Sequence, residues 1–174
     1  MTYTVPTSKI QNYEKNHPNL IHIAPYLGTY YYVFNVENKY LKNPKLRSAL
    51  SLAIDRKSLV KNVLKGGKLP AYAFTPPNTV GYTPKAHVDK NIKLARKLLA
   101  EAGYPNGKGL PAFPIMYNTN NRNRMIAMAI QQMWKKNLNV NTELENKDWK
   151  VYLDTFRTKD YAIAACSWIG DYAD

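Results

Sequence analysis

Apolar and polar positions recur along this chain with two different periods, and the switches between them divide it into elements. From Leu20 to Val36 the run LIHIAPYLGTYYYVFNV is rich in Tyr, Val, Ile and Phe and is broken by Pro25 and Gly28. That predicts two extended pieces joined by a bend. Strand side chains alternate, so Tyr30 and Tyr32 share one face and Tyr31 takes the other. The period then lengthens. Asn43 can cap a helix whose first residue is Pro44. Leu46, Leu50, Ala53, Ile54, Leu59 and Val60 recur at three-to-four spacing until Gly66 and Gly67 end the run. PAYAFTPPNTVGYTP is irregular, with prolines and aromatics close together. NIKLARKLLAEAGYPNG reads as a helix lined by Ile92, Leu94, Ala95, Leu98 and Leu99 and closed by Gly103.

The last third alternates between the two periods. FPIMYNT predicts a short strand. NRNRMIAMAIQQMWKKN predicts a helix with Met125, Ile126, Ala129, Ile130, Met133 and Trp134 inward. VNTELEN alternates like a strand with one wet face, DWKVYLDTFR is a short helix capped by Asp148, and YAIAACSW is a continuous apolar strand of the buried kind. Strand–helix–strand–helix–strand at this spacing predicts right-handed βαβ units: an α/β fold with a mostly parallel sheet flanked by helices. In such sheets ligands bind beyond the carboxyl ends of the strands. IGDYAD follows Trp168 at that place. An acid held there with little solvent, Asp171, would favour a cationic group, and Trp168 would add apolar contact area. The same residues also fit a plain turn in which Asp171 bonds local amides.

Composition narrows the function more than the fold. The chain has 174 residues, of which 45% are hydrophobic, enough for one domain with a core. Its 25 Lys and Arg against 12 Asp and Glu give a net charge of +13, which raises a basic nucleic-acid-binding domain as a competing class. The bases are scattered along helical segments rather than gathered into an arm, as a solvated basic surface would have them. No apolar run is long enough to span a membrane, and MTYTVPTSKI lacks the pattern of a signal peptide. Cys166 is the only cysteine, which excludes an internal disulfide, and inside an apolar strand it reads as an inert buried thiol. His17, His22 and His87 lie far apart, Ser167 has no Gly-x-Ser-x-Gly frame, and neither His-Glu-x-x-His nor a Walker pattern occurs. A catalytic role, a metal and a cofactor are therefore not expected.

Two long stretches carry a resemblance. GTYYYVFNVENKYLKNPKLRSALSLAIDRKSLVKNVLKGGKLPAYAFTPPNTVGY resembles the central signature of extracytoplasmic solute-binding proteins of the peptide/nickel class. YNTNNRNRMIAMAIQQMWKKNLNVNTELENKDWKVYLDTFRTKDYAIAACSWIGDYAD is similar to the periplasmic oligopeptide-binding proteins of Gram-negative bacteria. The resemblance covers nearly the whole chain. It implies a partial lobe of a periplasmic-binding-protein type II-like fold, from a protein about three times as long that carries a signal sequence. Residues 1–36 would lie near the inter-lobe crossing, 37–110 would form the helical signature region, and 111–174 the βαβαβ segment ending at the cleft.

The implied function is capture of short peptides for an ABC importer, in the periplasm or otherwise outside the cytoplasm and associated with the membrane. Its partners would be the peptide, the membrane permease and the second lobe. Asp171 would take the peptide's α-ammonium group. Trp168 and Trp149 would flank side-chain pockets, and Ser167 and Ile169 would offer backbone groups to an added strand. Other ligands within the family, a dipeptide, a nickel complex, haem or a signal peptide, stay open. Three positions depart from relatives. Ala165 and Phe156 stand where some relatives have arginines that can meet the peptide carboxylate, and Asn123 stands where relatives have a histidine. Arg157 is adjacent to Phe156 but points about 100° away on a helix. One wall without its opposing lobe cannot exclude water, so the isolated chain is expected to bind peptides poorly.

Overall fold

The computed structural model describes residues 5–24 and 26–171. The expected break at Pro25 lies outside them, as do the last three residues. Helix α1 (Thr7–Asn16) opens the chain and was not anticipated. Of the two extended pieces expected between Leu20 and Val36, only the second forms a strand, β1 (Gly28–Phe34).

The single helix expected after Asn43 is in fact two. Helix α2 (Pro44–Leu52) starts where the Asn43 side chain accepts the Lys45 N–H at 3.0 Å. It stops before Asp55, whose carboxylate accepts the Ser58 N–H at 2.9 Å and so caps a new helix, α3 (Arg56–Ser58). Helix α3 runs on into π-helical turns at Leu59–Leu64. An Asp side chain that competes for backbone amides breaks one helix and begins another. The break is held from outside: the Asp55 N–H reaches the Met133 sulfur at 3.4 Å, and the Lys90 ammonium bonds the Asp55 carboxylate, holding it below the usual carboxylate range. Gly66 and Gly67 follow with φ of 62° and 71°. A Cβ on them would come within 2.5 Å of Ile10 and 2.4 Å of Ile23, so α1 and its connection are seated on bare backbone.

Helix α4 (Ile92–Glu101) begins as expected, with Asn91 capping the Leu94 N–H at 2.9 Å, but Leu94 points to solvent. Strand β2 (Phe113–Asn118), helix α5 (Asn121–Leu138), strand β3 (Thr142–Lys147), helix α6 (Trp149–Arg157) and strand β4 (Ile163–Ile169) give the alternation read from the sequence. On α5 the inward stripe is Asn123, Ile126, Ala127, Ile130, Trp134 and Leu138, and Met125 faces out. Trp134 is 1% exposed and donates its Nε1–H to the Leu50 carbonyl at 2.8 Å, which fixes α5 on α2. Asp148 precedes α6 without making the side-chain cap bond expected of it.

The four strands lie in the order β1-β4-β2-β3. Strand β2 is parallel to both β3 and β4, while β1 is antiparallel to β4, so two of the three pairings are parallel. Odd-numbered residues of β2 and β4 (Phe113, Ile115, Tyr117, Ile163, Ala165) meet α2, α4 and α5 in the main core. On the opposite face α6 covers the first half of β4, where Met116 and Ala164 pack on Tyr152.

Candidate functional site

Strand β4 is the centre of the site because its two halves have different neighbours. Ile163, Ala164 and Ala165 are buried, whereas Ser167, Trp168 and Ile169 are exposed. The buried half pairs with β1 on one side and β2 on the other, but the β2 pairing ends at Met116 and Ala164. Strand β2 continues two residues further beside β3 and then turns into α5, where the Asn120 side chain accepts the Arg122 N–H at 2.8 Å. From Ala165 onward β4 is paired only with β1.

Backbone direction along that free edge follows from two bonds. The Ala162 carbonyl accepts the Asn35 N–H and the Gly170 N–H donates to the Leu27 carbonyl, each at 2.9 Å, so even-numbered residues of β4 face β1. Odd-numbered residues therefore turn their N–H and C=O groups the other way. Ala165, Ser167 and Ile169 point theirs into the split between β4 and β2. The Tyr152 hydroxyl donates to the Ala165 carbonyl and so occupies the bottom of the split. Ser167 and Ile169 lie beyond it with exposed side chains. Gly28 stands opposite Ile169, where a Cβ would come 3.2 Å from the Trp168 carbonyl, so the two strands approach closely at the mouth of the site.

One side of this edge is aromatic. Trp149 stacks on Tyr152 (ring centroids 5.8 Å apart, planes within 8°), Tyr152 on Phe156 (6.1 Å) and Phe156 on Tyr161 (5.3 Å, 5°). Trp168 lies on the same sheet face as α6, by its alternation with Ala164. Trp149 and Trp168 are 59% and 60% exposed, so each presents a ring to solvent. Tyr31, on this face too, packs edge-on to Phe74 at 5.1 Å, and Thr29 donates to the Phe74 carbonyl at 2.6 Å. Cys166, expected to be buried, is half-buried, because the covering helix α6 leaves the second half of β4 open. Its contact with the Tyr31 hydroxyl, helped by burial, pushes that hydroxyl up to about 12.

The other face is polar beneath the surface. Burial pushes the Tyr30 hydroxyl up to about 12 and raises that of Tyr32 further. The two hydroxyls sense each other, but neither makes a hydrogen bond of acceptable geometry. Asn123 is buried, donates to the Asn118 side chain at 2.8 Å, and leaves its own Oδ1 without a partner.

The expected residues thus fall into place unevenly. Trp149 and Trp168 share one side of the sheet, Ser167 and Ile169 supply the free edge, and Asp171 follows Gly170 just past it. Asp171 is exposed and, among the described residues, makes no ion pair. The low-solvent setting foreseen for it is not provided by the described residues. Ala165 is buried and Phe156 is inside the ring stack, while Arg157 lies on the outer surface of α6, so none of these brings a cation to the edge. Two shallow hollows, of about 400 Å³ beside α5 and β3 and about 500 Å³ on the outer side of α6, lie away from the edge. Among the described residues no cluster of His, Cys, Asp and Glu could hold a metal ion. Sequence reasoning missed Tyr152, although the spacing of Trp149, Tyr152 and Phe156 on one helix face was a signal for the stack.

Comparison with known proteins supplies the remaining context. Residues 1–174 match the family described as "Bacterial extracellular solute-binding proteins, family 5 Middle". The chain is 41% identical to the periplasmic oligopeptide-binding protein OppA of Salmonella typhimurium, over 99% of this chain and 33% of that protein. It superimposes on the Escherichia coli murein tripeptide binding protein MppA with a TM-score of 0.89 at 37% identity, over 97% of this chain and 34% of that one. It superimposes on Haemophilus influenzae OppA, solved in complex with the peptide RPPGFSPFR, with a TM-score of 0.85 at 33% identity, over 99% of this chain and 35% of that one. The chain spans about a third of the length of the relatives it matches. These neighbours are type II periplasmic binding proteins, and the fold agrees with that class.

Proposed function

The chain belongs to family 5 of the bacterial extracellular solute-binding proteins, and from that premise we propose that it forms one wall of a cleft in which the binding component of an ABC importer captures short peptides. The observation that carries this reading is the free edge of β4. Beyond Ala165 the N–H and C=O groups of Ser167 and Ile169 face open space beside exposed indoles. A peptide laid along that edge gains main-chain hydrogen bonds whatever its sequence, and its side chains alternate between the two faces. Trp168 and Trp149 give broad apolar contact to side chains on one face. Asp171, at the end of the edge, receives the peptide's α-ammonium group.

A second lobe closing over this wall would remove Asp171 from water and turn an exposed carboxylate into a partner for a charge-assisted hydrogen bond. The peptide would then pass to a membrane permease, with the binding protein working outside the cytoplasm at the membrane surface. No bond of the peptide is broken.

Calorimetry of the whole protein with a Lys-rich tripeptide tests the reading. Asp171→Asn and acetylation of the peptide's amino end should each weaken binding by about 2 kcal/mol or more, and the two together by no more than either alone. Equal binding of free and acetylated peptide would overturn it. The chain by itself should bind the tripeptide far more weakly than the whole protein, since an exposed ion pair contributes only about 0–1 kcal/mol.

A further inference from the structure

The positive charge of this chain is concentrated in one layer. Helix α5 carries Arg122, Arg124, Lys135 and Lys136 and no acid, and α4 carries Lys93, Arg96 and Lys97 against Glu101. Helices α2 and α3 and the π-helical turns add further Lys and Arg and no acid. All these elements cover the odd-numbered face of the sheet, away from the aromatic wall. The opposite side mixes the two signs: Glu143, Glu145 and Lys147 on β3, and Asp148, Lys150, Asp154 and Arg157 at α6. The four α5 cations meet no carboxylate among the described residues, and Lys135 spends its ammonium on the neutral side chains of Asn139 and Asn141, each at 2.9 Å. Arg96 donates to the Asn137 carbonyl at 2.8 Å, which fastens α4 to the end of α5 and makes their cations one surface.

We infer that this helix layer is a docking face for an anionic phospholipid surface. Three features select that occupant over another polyanion. The outward stripe of α5 contains Met125, Met128, Gln132 and Lys136, and α4 adds Leu94, so the apolar groups are small and separated, each only about 40% exposed. A protein interface usually centres on buried aromatic anchors, and a single-stranded nucleic acid needs stacking rings. Among the described residues the exposed aromatics, Tyr26, Phe74, Tyr82, Trp149 and Trp168, all lie outside α2–α5. Mobile headgroups need no matching pattern, only a broad excess of cations, each adding attraction near an anionic leaflet. Docking by this layer leaves α6 and the exposed rings of Trp149 and Trp168 on the opposite face of the sheet and open to solution.

Co-sedimentation of the protein with phosphatidylcholine vesicles, with and without phosphatidylglycerol, tests the inference. Binding is expected only with phosphatidylglycerol and should fall steeply as salt rises. Lys135→Glu with Lys136→Glu should weaken it at least about tenfold, because each basic residue near the surface contributes roughly fivefold. Lys150→Glu with Arg157→Glu, on the other side of the sheet, should change it less than about threefold. Gln at positions 135 and 136 in place of Glu should give an intermediate loss, and circular dichroism should match wild type for each variant. Binding to pure phosphatidylcholine, equal losses from both pairs, or retention on duplex DNA at salt that releases the vesicles would overturn it.

Discussion

The two halves of β4 differ by a few residues in position and completely in circumstance. Ile163 to Ala165 lie between two helix layers and two strands, and Ser167 to Ile169 have a strand on one side and water on the others. Their composition does not separate them, since Ile occurs in both. What separates them is where β2 leaves. One strand thus provides the middle of the core and, without interruption, the edge on which a ligand can be laid. The rigidity of the first half positions the second.

The largest effect that could break this comparison comes from shortening the same residue in each half. Ile163 is fully buried between α5 and the sheet, whereas Ile169 is 51% exposed. Ile163→Ala should cost about 2–5 kcal/mol of stability, and Ile169→Ala no more than about 0.5 kcal/mol. Urea unfolding of the two variants measures both, and similar losses would mean that the outer half of β4 is as tightly packed as the inner.

The next effect is one of pH. Tyr32 is opposite Ala165 and Tyr30 opposite Ser167, so the two hydroxyls lie on either side of the boundary. Burial raises the folded pKa of Tyr30 from 10.0 to about 12. A group whose folded pKa is raised contributes its full stability below its unfolded pKa and loses it as pH rises toward the folded one. Stability should therefore decline between pH 10 and 12, by about 1.4 kcal/mol per pH unit for each tyrosine that ionises on unfolding. Tyr30→Phe should flatten that decline without lowering stability near neutrality, because the hydroxyl it removes has no hydrogen-bond partner. Thermal melts across this range would show an unchanged slope if Tyr30 were in fact solvated.

Much of this was readable in the sequence, and the failures have a common cause. The periods of three to four around Leu98 and Ile130 and the alternating strands placed α4, α5, β2, β3 and β4, because those patterns are local. The break at Asp55 was not legible: it depends on Met133 and Lys90, far away in the chain. Met125 and Leu94 looked inward because the apolar residue type was read without the neighbours that decide which stripe is covered. Trp168 looked like the end of a buried strand for the same reason. The place of Asp171 beyond a strand's carboxyl end could be read, but its solvent exposure could not, since exposure is set by what packs over it.

The smallest effect tests the joint between the halves. Tyr152 is buried, stacked between Trp149 and Phe156, and its hydroxyl is bonded to the carbonyl of Ala165, the first residue of β4 beyond its last pairing with β2. Tyr152→Phe keeps the ring stack and removes only that bond, leaving the carbonyl to find water in the split. The expected cost is about 1 kcal/mol, the net worth of a buried hydrogen bond, and it should be accompanied by faster amide exchange at Cys166 and Trp168, whose N–H groups face β1, with none at Ala164. If exchange rose equally along all of β4, the strand would open as one unit, and the division at Ala165 would be one of solvent exposure without a mechanical counterpart.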